Sequence, residues 1–330
     1  MCRTASHTHP TVQSGKRRIF LRILRGLHLP SPNLRVRMKN LRCAVLVTCH
    51  DRPNCTIPAV LDVTNALRRS KIEALIFVID SSEGFETGKG LADINEPGLR
   101  YTRVSPDVFW ARGMKIAEGM ALSSGELSGN DLILWLNDDV VLTQGAISLA
   151  LKSWKCVDPT KAILVGATRE KNYPTISYTG KNRLPSSPTS FANCVPSGDL
   201  SPVGTFNGNF VWMSVGRARY LGGIEGSFAH HGADIEYGIR NELNDGWNFL
   251  LSEPIGFCSS AKKPPPTRGA AIWHLFSPLG TLHFGTKKIL LERIGFSVWS
   301  AFFFAILEIA ASAARLAATN IPVSLKGRSR

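Results

Sequence analysis

Leu132-Ile133-Leu134-Trp135-Leu136-Asn137-Asp138-Asp139-Val140 is a run of five apolar residues closed by three polar ones. A run that short, stopped by turn formers, predicts a strand buried on both faces. Cys43-Ala44-Val45-Leu46-Val47-Thr48 is a second such run, ending at Cys49-His50-Asp51. Residues 74–79 are a third, ending at Asp80-Ser81-Ser82-Glu83-Gly84. Between and after them lie helical patterns at 57–69, 108–122 and 145–155, and a further strand is expected at 162–166. Strands alternating with helices predict an α/β domain with a mostly parallel sheet. Ligands of such sheets bind outside the carboxyl ends of the strands. Asp51, Asp80, Asp138 and Asp139 all fall there.

Further along, residues 167–205 are rich in Pro, Ser, Gly and Asn and predict a loop or an excursion of short strands. Residues 208–214 (GNFVWMS) read as a strand, 216–222 as a short helix and 233–245 as a longer one. Residues 261–268 (AKKPPPTR) predict a stiff linker. Seven cysteines, at 2, 43, 49, 55, 156, 194 and 258, include no CxxC pair. That signals neither a zinc ribbon nor a disulfide framework, and reduced thiols are expected.

The chemistry is carried by acids. Two adjacent carboxylates after a buried strand repel each other unless a cation or hydrogen bonds hold them. Hard oxygen ligands suit Mg2+ or Mn2+, which take one or two protein carboxylates together with substrate phosphates. The plain alternative is a polar turn in which an Asp caps the next helix. Asp80, at the end of its strand, is placed to accept hydrogen bonds from a nucleotide base or ribose, or else to serve an ordinary turn. Asp234, in Gly232-Ala233-Asp234-Ile235-Glu236, sits where a helix begins, which favours its ionised form. A carboxylate there is a candidate general base, or a helix cap.

Taken in order, VTCHDRP (47–53), VIDSSEG (78–84), DVFWARGMKIA (107–117), LWLNDDV (134–140), GNFVWMS (208–214), LGGIEGSF (221–228) and GADIEYGIR (232–240) resemble family 2 glycosyltransferases, especially bacterial rhamnosyltransferase-like members. The resemblance covers about residues 41–285. It implies the GT-A fold, a Rossmann-like mixed and mostly parallel sheet flanked by helices, here with a C-terminal helical extension. It implies an inverting transfer from a nucleotide-sugar donor to a hydroxyl of a glycan or lipid-linked acceptor, assisted by Mg2+ or Mn2+. Asp234 matches the catalytic base, with Ala233 where many members carry another acid. Asp80 matches the nucleotide-binding Asp, and Asp51 and Asp138 join it in the donor site. The family's D-x-D pattern falls on Asn137-Asp138-Asp139; its first acid is replaced, which makes Asp139 the first-choice metal ligand. His274, in Trp273-His274-Leu275-Phe276, completes the metal site, contacts the diphosphate, or is a structural histidine. Phe109, Trp110, Arg112 and Met114 resemble the segment lining the donor sugar, with a core role open for Trp110 and Met114. His230 and His231 fall beside the acceptor site. A non-catalytic GT-A-like scaffold that binds sugars or nucleotides is the alternative that the replaced acid keeps open.

Net charge is +14, but it is not spread evenly. Residues 1–42 hold ten Lys or Arg and no acid, and residues 261–330 hold ten against Glu292 and Glu308. The body between is therefore mildly acidic, which argues against nucleic acid as a partner. Residues 16–28 (KRRIFLRILRGLH) predict a basic amphipathic helix within an N-terminal extension, 1–40. Beyond the 41–285 domain, residues 286–330 predict an apolar and basic helical segment. Ser297, Ser300, Glu308, Ser312 and Arg315 share one stripe of it, which favours a helix lying in the interface of an anionic membrane over a single span. The expected location is cytoplasmic, peripheral at the inner face of the plasma membrane.

Overall fold

The computed structural model describes residues 41–185, 187–228, 230–260 and 283–319. The first half of the fold runs β1 (Arg42–Cys49), α1 (Pro53–Arg69), β2 (Glu73–Asp80), α2 (Glu86–Ala92), β3 (Leu99–Arg103), α3 (Trp110–Ser123), β4 (Leu132–Leu136), β5 (Val141–Leu142) and α4 (Ala146–Trp154). There follow β6 (Ala162–Val165), β7 (Thr168–Arg169), β8 (Ile176–Tyr178), β9 (Gly180–Arg183), β10 (Phe191–Asn193), β11 (Ser201–Val203), β12 (Thr205–Phe206) and β13 (Phe210–Ser214). The chain then forms α5 (Val215–Leu221), α6 (Ala233–Leu243), β14 (Trp247–Leu250), β15 (Gly256–Phe257), α7 (Phe284–Arg293) and α8 (Val298–Thr319).

The central sheet has the order β11-β14-β6-β13-β4-β1-β2-β3. Strands β4, β1, β2 and β3 are mutually parallel, as are β6 and β14, while β13 enters antiparallel between β4 and β6. The apolar runs are buried because both faces of the sheet are covered. Along β1, Cys43, Val45, Val47 and Cys49 pack on one side with Val60, Val63 and Leu67 of α1 and with Ile147 and Ala150 of α4. Ala44 and Leu46 face the other side, with Ala111, Met114 and Ala117 of α3 and Tyr237 of α6. This period-two split is what a strand inside a three-layer α/β sandwich requires. Two smaller sheets, β10-β9-β12 and β5-β15-β7-β8, are built mostly from the segment with the loop-like composition.

Several elements differ from the sequence expectation. Helix α1 begins at Pro53 rather than at 57, because proline at the first helical position surrenders no bonded N–H. β3 and β14 carry no strong signal. β3 is a half-buried edge strand containing Arg100 and Arg103, and β14 interrupts its apolar residues with Asn248. Asn248 is nonetheless buried, because it donates to the carbonyl of Gly238 and accepts from Asn241 Nδ2. The basic helix expected at 16–28, the linker at 261–268 and His274 lie outside the described residues.

After β1 the chain moves outward through β2 and β3, then returns to place β4 on the opposite side of β1. That reversal opens a crevice between the carboxyl ends of β1 and β4, the position where open α/β sheets bind ligands.

Candidate active site

The loops leaving β1 and β4 meet across this crevice. Arg52 stands at the start of α1, where its carbonyl accepts from Cys55 N and Thr56 N at 3.0 Å each. Its guanidinium turns back over the β4 loop. Nη2 lies 2.5 Å from Asp138 Oδ1 and Nη1 lies 2.9 Å from Asp139 Oδ2. Asp138 also accepts from Thr56 Oγ1 at 3.1 Å and is 2% exposed, whereas Asp139 is 28% exposed. Burial pushes the Asp138 carboxyl up to about 7; Arg52 opposes the shift and Asp139 adds to it. Behind the pair, the Cys258 thiol donates to Asp139 Oδ1 at 3.3 Å and accepts from Asn209 Nδ2 at 3.4 Å.

Asn137, the third polar residue of this loop, takes a hydrogen bond from Trp110 Nε1 at 2.9 Å. Trp110 opens α3 and packs edge-on against Trp135, with ring centroids 6.2 Å apart. The turn between β12 and β13 presses on the same ring. A Cβ at Gly208 would stand 2.6 Å from Trp110 Cη2 and 3.5 Å from Asp234 Cβ, so only glycine fits. Asp234 is thereby joined to the β4 loop through Gly208, Trp110 and Asn137.

Asp234 lies in the first turn of α6, entered through Gly232 at φ 99°. Its carboxylate accepts from Ile235 N at 2.8 Å and from Gly208 N at 3.0 Å. Burial raises its pKa above the ordinary carboxylate value, and the two N–H bonds and the charges of His231 and Lys181 restrain the rise. A half-buried carboxylate held by two backbone donors keeps a lone pair on each oxygen, which is the equipment of a general base. His230 stacks edge-on against His231, with centroids 4.5 Å apart. Burial, and then the charges of His231 and Arg52, push His230 down to about 4, so its ring is neutral near pH 7. Its Nδ1 is buried with no hydrogen-bond partner among the described residues.

Other sequence-predicted residues occupy different ground. Asp80 is fully buried. Its Oδ2 accepts from the Tyr101 hydroxyl at 2.7 Å and its Oδ1 from Ser82 N at 2.9 Å. Burial opposes ionisation, but these bonds win and hold its pKa low. Both oxygens therefore face protein, and what Asp80 shapes is the Ser81-Ser82 turn. Asp51 adopts φ 50°, a left-handed conformation that Asp tolerates better than most residues. It ties the β1 loop to the β2 loop through its N–H to Ser82 Oγ at 2.7 Å, while its Oδ1 accepts from Glu83 N at 3.1 Å. Arg112 projects from the first turn of α3 into solvent. The structure thus brings together Trp110, Asn137, Asp138, Asp139 and Asp234, and leaves Asp51, Asp80 and Arg112 on the rim or beneath it. Sequence reading missed Arg52, Thr56, Cys258 and Gly208. For Arg52 a signal existed, since adjacent buried carboxylates demand a cation.

Among the described residues, no three His, Cys, Asp or Glu side chains converge as a metal-holding group. A hard divalent ion bound beside a diphosphate needs only one or two carboxylates from the protein. Asp139, the partly exposed member of the pair, fits that requirement, with Arg52 now lying on its open oxygen.

No family model and no curated protein matches the chain. Solved structures do. One is GalNAc-T7 with UDP, GalNAc and Mn2+, at a TM-score of 0.52 and 11% identity over 87% of this chain; the chain covers only 59% of that protein. Others are S. aureus TarS 1–349 (TM-score 0.49, 11% identity, 87% of this chain and 76% of that one) and the mannosyltransferase PcManGT from Pyrobaculum calidifontis with GDP-Man and Mn2+ (0.45, 17%, 86% and 79%). With the sheet order and the crevice described above, the first of these likenesses defines the architecture as a GT-A fold.

Proposed function

We propose that this chain is an inverting glycosyltransferase that moves a sugar from a nucleotide-sugar donor to a hydroxyl of a glycan or lipid-linked acceptor. The observation that carries this reading is the carboxylate of Asp234. It is held by two backbone N–H groups and linked through Gly208 and Trp110 to the loop of Asp138 and Asp139, at the reversal point of a GT-A sheet. A fold analogy alone would not suffice, since one fold hosts many activities.

In this reading the donor's nucleoside lies over the tied β1 and β2 loops, with Asp51 at the rim and Asp80 acting through the turn it holds. Trp110 and Arg112 border the donor sugar. Asp138 and Asp139 sit under the diphosphate, and Asp139 is the residue that holds Mg2+ or Mn2+. When bound, the cation supplies neutralisation of the charge that builds on the leaving diphosphate. Asp234 takes the proton of the acceptor hydroxyl. The oxygen then forms its bond to the anomeric carbon from the face opposite the leaving group, as the bond to the diphosphate oxygen breaks. One base suffices because no covalent intermediate forms. His274 remains a proposed partner of the cation.

The apolar C-terminal helix supports extending this proposal to a membrane-surface location. Trp299, Phe302, Phe303 and Ile306 lie on the outward face of α8, and Trp299 is 83% exposed. Its one acid among the described side chains, Glu308, turns the other way and accepts from Ser187 Oγ at 2.5 Å and from Thr189, beside Lys287 Nζ at 3.2 Å. No helix among the described residues is long and apolar enough to cross a membrane. A helix with its polar face inward and its aromatic face outward suits the interface of an anionic bilayer, at the cytoplasmic side of the plasma membrane in this proposal.

The test is a panel of nucleotide sugars and glycan acceptors with Mn2+ or Mg2+, read by released nucleoside diphosphate. Asp234→Asn is expected to lower turnover by at least a thousandfold while donor affinity stays within about threefold. Donor binding without turnover by the unaltered protein, across all acceptors, would establish a binding scaffold instead.

A further inference from the structure

The Asp138–Asp139 pair already has a cation, and the chain itself supplies it. The planar guanidinium of Arg52 reaches both carboxylates, one with each terminal nitrogen. A lysine ammonium, a compact point charge with its three donors on one nitrogen, has no such planar fork. The backbone of Arg52 is fixed as the first carbonyl acceptor of α1, with Pro53 behind it. Its side chain is 47% exposed, so the fork is free to turn while its root stays in place. Asp138 is closed in by Thr56 on its far oxygen and has no water-facing route to a counter-ion. Asp139 is open on the Arg52 side and closed by Cys258 on the other. An incoming divalent cation and Arg52 therefore claim the same Asp139 oxygen.

We propose that Arg52 is a tethered counter-cation that holds Asp138 and Asp139 until the donor arrives, then gives up Asp139 and binds the donor's diphosphate. The second half rests on the donor class proposed above; the first half does not. The exchange conserves pairing. The diphosphate brings the oxygens to which a guanidinium binds bidentately, and the divalent ion takes over the carboxylate. Metal alone has to displace Arg52 without offering it a new partner, whereas metal with a diphosphate offers one. Metal and donor must therefore bind with positive coupling, and the coupling must be reciprocal.

The experiment is a Mn2+ titration of the full chain, followed by the electron paramagnetic resonance of free Mn2+, with and without UDP or GDP. Arg52→Gln is expected to bind Mn2+ alone at least tenfold more tightly than the unaltered chain, and Asp139→Asn in that background to remove the gain. With Mn2+ held by the free nucleotide subtracted, nucleoside diphosphate is expected to tighten Mn2+ binding at least tenfold in the unaltered chain and at least threefold less than that in Arg52→Gln, where only the direct attraction between metal and diphosphate remains. Arg52→Lys, which keeps the charge without the fork, should fall between and guards against a fold lost in the glutamine variant. Mn2+ affinity in both variants equal to or below that of the unaltered chain would overturn the proposal. If Arg52→Gln gains Mn2+ affinity but neither nucleotide binds any form, the counter-cation stands and the donor reading fails.

Discussion

Glu118 is a buried acid outside the crevice, and its chemistry is read most directly through pH. It lies on α3, where Oε2 accepts from Ile224 N at 2.6 Å and Oε1 from the Tyr237 hydroxyl at 3.5 Å. Burial pushes it up to about 7, against the pull of the Ile224 N–H, Arg240 and Tyr237. Because the folded protein binds this proton more tightly than the unfolded chain does, stability is highest below the ordinary value of 4.5 and falls as pH rises toward 7. Glu118→Gln keeps the shape and removes the titration. It should match the unaltered chain near pH 4.5 and exceed it above pH 7 by up to about 3 kcal/mol. Urea unfolding across that range checks this, and parallel pH profiles would contradict it. At the same scale, the acids of the site were legible because strand ends and a helix start fix where Asp138, Asp139 and Asp234 stand. The paired acids signalled a cation but not which one, and Arg52 and Cys258 meet their partners across more than 80 residues of chain.

Three elements meet at Gly208: the opening of α3, the β12–β13 turn and the opening of α6. Gly208→Ala would drive a methyl group into the Trp110 ring and displace either that ring or the turn whose N–H holds Asp234. The expected loss is about 1–3 kcal/mol of stability, as for overpacking elsewhere, with a fall in turnover larger than the fall in donor affinity. Denaturation and steady-state kinetics measure the two; a variant unchanged in both would remove the turn from the account. The strongly periodic elements, β1, β2, β4 and α3, were readable from hydrophobic pattern alone. β3 and β14 were not, because an edge strand has one solvent-facing side and because Asn248 draws its burial from tertiary hydrogen bonds. Likewise, short strands in a Pro- and Gly-rich segment exist through their partners in space rather than through their own sequence.

For the whole molecule, charge and apolar surface divide the labour. The acidic body carries the crevice, and in the proposed reading the aromatic face of α8 and the basic ends meet an anionic surface. Replacing Trp299 and Phe303 by Ser should weaken binding to vesicles containing anionic lipid at least tenfold and leave the unfolding midpoint almost unchanged, since both side chains point outward. Removing 1–40 and 294–330 together should release the protein from such vesicles; persistent sedimentation of that truncated chain would refute the anchor. The clamp on Glu308 has a mechanical consequence. Ser187 and Thr189 belong to the loop joining β9 to β10, and β9 bears Lys181, whose charge acts on Asp234. Glu308 thus ties the helix to the loop that follows β9, the strand that carries Lys181. A roll of α8 on its support would have to stretch the bonds of Glu308 to Ser187, Thr189 and Lys287, so those three partners fix how the helix seats on the domain.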